Sequence, residues 1–111
     1  MYAFDPGALH LAREFRARPI GRRSPELERL LTLMRGEPMA GKYCVICTRP
    51  HEQWVLARLS GIRGVPPTLM ENHVYHSIEE AEWEVFKLRW QRLGGGDLDA
   101  ALAADEQENA R

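Results

Sequence analysis

Three stretches in the middle of the chain, KYCVICT (42–48), EQWVLARLS (52–60) and TLMENHVYH (68–76), constrain the fold more than any other feature. The first two are rich in the β-branched and aromatic side chains that fit a pleated sheet, and the third is more polar. RPHE (49–52) and GIRGVPP (61–67) lie between them and supply turn chemistry. Neither link is long enough for the crossover of about a dozen residues that parallel strands need. The expectation is a three-stranded antiparallel meander.

Helix signals flank the strands. Ser24-Pro25-Glu26 offers a cap followed by proline at the first helical position, and Leu27, Leu30, Leu31 and Met34 recur at helical spacing before Gly36. After the third strand, SIEE (77–80) is a capping box, and the helix it opens should run to about Leu93, ahead of Gly94-Gly95-Gly96. The fold class expected is α+β: an N-terminal arm and helix, the meander, and a long C-terminal helix packed on the sheet. The expected divisions are a basic arm (1–23), one α+β domain (24–93) and an acidic flexible tail (94–111). Within the arm, Asp5-Pro6 could cap a short helix carrying Ala8, Leu11, Ala12 and Phe15 on one side. A helix so short is marginal without a surface to lie on, so the arm is expected to order on a partner.

Charge is balanced overall, with a net of −1, which argues against a dedicated nucleic-acid or membrane-surface protein. It is graded along the chain: residues 1–36 hold seven Arg against four acids, and residues 71–111 hold ten acids against four bases. No apolar run approaches the roughly 18 residues of a membrane helix. The start, MYAFDPGALH, lacks the basic-then-apolar plan of a secretory signal. A cytoplasmic location with reduced cysteines is expected.

Cys44 and Cys47 stand in C-x-x-C spacing, with His51, His73 and His76 downstream. A chelating pair needs a turn that converges two sulfurs, yet Val45 and Ile46 favour extended backbone. On a strand, residues three apart point to opposite faces. A zinc site or a thiol redox role is therefore disfavoured, and two small hydrophobes are the plainer reading. No nucleophile elbow, phosphate loop or H-E-x-x-H pattern is present in the sequence. No catalytic residue and no metal ligand is assigned.

The surplus of apolar surface says more. On the last helix, Ile78, Ala81, Val85 and Leu88 form one stripe, and Trp83, Phe86, Trp90 and Leu93 form a second, roughly a third of a turn away. Either both stripes are internal, or the aromatic one meets another chain, as Trp and Phe do at interfaces. The strands are apolar on both parities, so both sheet faces need cover. Residues expected to touch a partner are Trp83, Phe86 and Trp90, with Arg13, Phe15 and Arg16 from the arm. The rival reading is a free-standing nucleic-acid or regulatory binding module that uses the arm's arginines through phosphate contacts. A third is a small metalloprotein built on Cys44 and Cys47.

SPELERLLTLM, then GKYCVICTRPHEQWVLARL, then HSIEEAEWEVFKLR resembles the small subunit of N,N-dimethylformamidase over about Ser24 to Leu93. Ser24-Pro25, Gly41, Tyr43, Trp54, Glu79-Glu80-Ala81, Phe86 and Arg89 carry the likeness. The resemblance implies an iron-dependent amidohydrolase that converts dimethylformamide to dimethylamine and formate. It implies a large catalytic subunit holding a mononuclear iron through tyrosine and carboxylate side chains. This chain would then be a non-catalytic small subunit of a hetero-oligomer, without a cofactor of its own.

Overall fold

The structure, a computed structural model, describes residues 3–109. The first two residues of the arm and the last two of the tail, which the expected divisions include, lie outside the described residues. In chain order the elements are α1 (Leu9–Ala17), α2 (Pro25–Arg35), β1 (Tyr43–Arg49), β2 (Gln53–Arg58), β3 (Thr68–Tyr75), α3 (Ile78–Trp90) and α4 (Leu98–Asn109). The expected α+β order of helix, antiparallel meander and C-terminal helix is the observed one.

The chain divides into two compact units, one of residues 1–35 and 86–111, the other of residues 36–85. The division falls inside α3.

The first unit is helical. α1 packs against α2, and Leu11, Ala12 and Phe15 on α1 are buried, as are Leu27, Leu30, Leu31 and Met34 on α2. The arm, expected to order on a partner, therefore has a surface to lie on within its own chain. Ser24 caps α2, its hydroxyl accepting the Leu27 N–H at 3.2 Å. Glu14 on α1 accepts both the Ser24 N–H at 2.7 Å and the Ser24 O–H at 2.6 Å. These two bonds hold the Glu14 carboxyl below its ordinary pKa, the hydroxyl contributing most.

The acidic tail, for which the composition allows a frayed helix or none, forms a helix at Leu98–Asn109 with Leu98 and Leu102 buried. Asp97 caps it by accepting the Ala100 N–H at 3.1 Å. Ion pairs from Lys87 to Asp99 at 3.0 Å and from Arg13 to Asp105 at 2.6 Å tie it to α3 and α1. Between α3 and α4, Gly94 takes φ 96°, the left-handed region open to glycine.

The second unit carries the sheet, in strand order β1-β2-β3. Cys44 pairs with Ala57 and Ile46 with Val55, while Val45 pairs with Leu56 and Cys47 with Trp54. On β3, Leu69 pairs with Ala57 and Val74 with Val55, across a register shift. Paired residues share a face. One face thus holds Cys44, Ile46, Val55, Ala57, Leu69 and Val74, and the other holds Tyr43, Val45, Cys47, Trp54 and Leu56. Val55, Leu56 and Ala57 are consecutive and all buried, so the central strand is covered on both sides. Ser77 caps α3 by accepting the Glu80 N–H at 3.2 Å, and Ala81 and Val85 are buried on its first turns.

Candidate partner-docking surface

The residues expected to meet a partner separate sharply in the structure. Phe15 stacks on Phe86 with centroids 4.5 Å apart and planes at 18°, and Phe4 meets Trp90 edge-on at 4.9 Å. Trp90 has 0 % of its surface exposed, and Phe15 and Phe86 are also buried. These three rings form an aromatic core inside the helical unit of the chain itself. Phe86 sits 71 positions after Phe15, and the pair fills the second apolar stripe of α3 from inside. Gly95 completes this core: a Cβ there would run into the Trp90 indole. Arg13 is committed to Asp105. Arg16 is exposed at the end of α1, and Trp83 is half-buried.

Exposed apolar side chains lie elsewhere. Of the large hydrophobics most open to solvent among the described residues, only Ile20 belongs to the helical unit, whereas Met39, Ile62, Val65, Leu69 and Val74 all belong to the sheet unit. Met39 is 59 % exposed, Ile62 66 % and Val65 49 %. The Gly and Pro residues of GIRGVPP mark it as a turn in the sequence. Its signal was two β-branched residues, Ile62 and Val65, placed where Gly and Pro prevent a strand.

The backbone around them is firmly tied. The β1–β2 ladder continues past the strands, with the Leu59 N–H donating to Lys42 O at 2.9 Å and the Gly41 N–H to Leu59 O at 2.7 Å. The Ser60 hydroxyl accepts the Ile62 N–H at 3.0 Å and lies 3.1 Å from the carbonyl oxygens of both Ile62 and Val65. The Val65 N–H closes a turn onto Ile62 O at 3.1 Å. Gly61 has φ 77°, and a Cβ on it would come within 2.8 Å of the Ala40 backbone, so the two turns meet where a side chain has no room. Between them is a hollow of about 250 Å³ lined by Met39, Leu59, Ile62, Arg63 and Val65 among others. Apolar side chains on a backbone held this way do not collapse inward.

The surroundings are basic. Residues 38–70 contain Lys42, Arg49, Arg58 and Arg63 against a single acid, Glu52. The Arg58 guanidinium lies 4.9 Å from the Tyr43 ring centroid and donates to Gly41 O at 3.2 Å. The nearby Glu37 carboxylate accepts the Tyr43 N–H at 3.2 Å.

Cys44 and Cys47 are not joined in a disulfide, and their strand partners, Ala57 and Trp54, put them on opposite faces. His76 lies 3.3 Å from Glu52 O and His73 lies 3.4 Å from the Tyr75 hydroxyl. Among the described residues, no group of three or more His, Cys, Asp or Glu side chains is placed to hold a metal ion. No helix among the described residues is long and apolar enough to cross a membrane.

A helical unit with a closed aromatic core, joined in sequence to a small sheet that leaves apolar side chains in solvent, describes a subunit more readily than a free-standing enzyme. Comparison with protein families agrees. The model of the N,N-dimethylformamidase alpha subunit matches residues 8–100, and the chain belongs to that family. Comparison with curated proteins finds no match.

Proposed function

We propose that this chain is the non-catalytic small subunit of a hetero-oligomeric amidohydrolase acting on N-substituted formamides, with dimethylformamide cleaved to dimethylamine and formate. The family match over 8–100 is the observation that carries the reading. Catalysis and the mononuclear iron are assigned to a larger partner chain, and no catalytic step is assigned to this one. Its contribution is to stabilise or assemble that partner.

The exposed apolar residues of the sheet unit support a subunit role, since an isolated chain gains nothing from holding Met39, Ile62 and Val65 in water. The nucleic-acid reading draws less support. Arg13 is paired with Asp105, and Arg23 lies 3.5 Å from Glu28, so part of the arm's charge is neutralised within the chain. A cytoplasmic location fits the reading.

The test is co-expression of this chain with the larger N,N-dimethylformamidase subunit, with dimethylamine release from dimethylformamide as the readout. Turnover should require the complex, and this chain alone should show none. Turnover by this chain alone would end the proposal, as would full activity and stability of the larger chain without it.

A further inference from the structure

The geometry points to Met39, Ile62, Val65 and Leu69 as the docking surface for an apolar segment of the larger subunit that carries carboxylates beside it. This inference rests on the subunit reading above and goes beyond it by naming the surface and the chemistry of what covers it.

Three observations converge on this place. Exposure comes first: the most exposed large hydrophobics of the chain include Ile62 and Met39, and with Val65 they line one hollow. Leu69, also exposed, pairs with Ala57 and so lies on the sheet face that Leu59 would continue. Preorganisation comes second. The Ser60 hydroxyl bonds and the tight approach of Gly61 to Ala40 fix the turn before any partner arrives. Little ordering entropy is then lost on binding, which favours an interface.

Charge comes third and selects the occupant. Arg63 lines the hollow, and none of the described residues lining it is acidic. A second copy of this surface would bring like charges together, which opposes self-association. A segment with an apolar side chain for the hollow and carboxylates for the rim satisfies both features. Arg63 would steer the encounter, and the apolar residues would hold the complex.

The test uses the co-expressed complex and the affinity of the larger subunit for variants of this chain. In Ile62→Asp/Val65→Asp the affinity should fall at least 10-fold, with the melting temperature of the isolated chain unchanged because both side chains are exposed. Arg63→Glu should weaken binding severalfold and flatten its dependence on salt. Ile20→Asp, at an exposed apolar residue of the helical unit, should bind as the unmodified chain does. Retained affinity in Ile62→Asp/Val65→Asp overturns the surface while leaving the subunit reading intact, and an equal loss in Ile20→Asp does the same. Ile62→Ser provides the same comparison if the double variant melts early. If the unmodified chain fails to bind the larger subunit, the subunit reading falls and this inference with it. A dimer of this chain alone that Ile62→Asp abolishes would replace the proposed occupant with a second copy.

Discussion

The two compact units treat their large apolar side chains in opposite ways. Among the described residues, the helical unit buries Leu11, Phe15, Leu27, Leu30, Phe86 and Trp90, holds others such as Leu9 and Leu33 half-buried, and leaves Ile20 exposed. The sheet unit buries the middle of its central strand and leaves Met39, Ile62, Val65, Leu69 and Val74 in solvent. Both come from one short chain of ordinary composition, so the difference is one of arrangement. In the helical unit, α1 and α4 cover helix faces that would otherwise be bare. A three-stranded sheet has two faces and only a few residues to cover them. What a sheet cannot cover itself is left for a partner.

Substitutions can break or sharpen this contrast. The largest effect is expected from Trp90→Ala, which removes a fully buried ring that meets Phe4 and Phe86. Denaturant unfolding should show a loss of about 3–5 kcal/mol. A loss below about 1 kcal/mol would mean the helical unit is not held by its aromatic core, and the contrast would fail. Gly95→Ala should act in the same direction by forcing a methyl group onto the same indole, at a cost of about 1–3 kcal/mol.

Smaller effects test how the helices are joined. Ser24→Ala removes both the α2 cap and the hydroxyl that donates to Glu14, and should cost about 1–2 kcal/mol in thermal or urea unfolding. A double-mutant cycle with Glu14→Gln should show coupling, because each change removes the other's partner. The pH dependence follows from the same contact. Glu14 is held below its ordinary pKa, so its contribution is present when the carboxyl is ionised in both folded and unfolded chains. It is lost as pH falls through the lower, folded value. Glu14→Gln should therefore reduce acid sensitivity in that range, and an unchanged acid limb would show the contact carries no stability. The smallest effect is expected in the sheet unit, where Val74→Thr, at a side chain already partly in water, should cost less than about 0.5 kcal/mol.

Local elements were legible in the sequence. KYCVICT at 42–48 became a strand at Tyr43–Arg49, and the Ser77 and Ser24 caps formed as their spacing requires. These signals depend on neighbours within a few residues. The contacts that decided which apolar stripe is internal do not. Phe15 reaches Phe86, and Arg13 reaches Asp105, across most of the chain, and no local pattern announces either. The helix at Leu98–Asn109 carried a readable cue in Asp97 and in the pair Leu98 and Leu102, masked by its acidic, alanine-rich composition. The candidate site was missed for a related reason. Ile62 and Val65 sit in a segment whose Gly and Pro residues marked it as a turn, and only their exposure distinguishes them.

Amide hydrogen exchange of this chain, free and bound to the larger N,N-dimethylformamidase subunit, tests the central claim most directly. Slowed exchange in the sheet unit at 39–42 and 59–69, with α1, α2 and α4 unchanged, is the predicted result. Slowing confined to residues 9–23 and the helices, with 59–69 exchanging as fast as before, would contradict it.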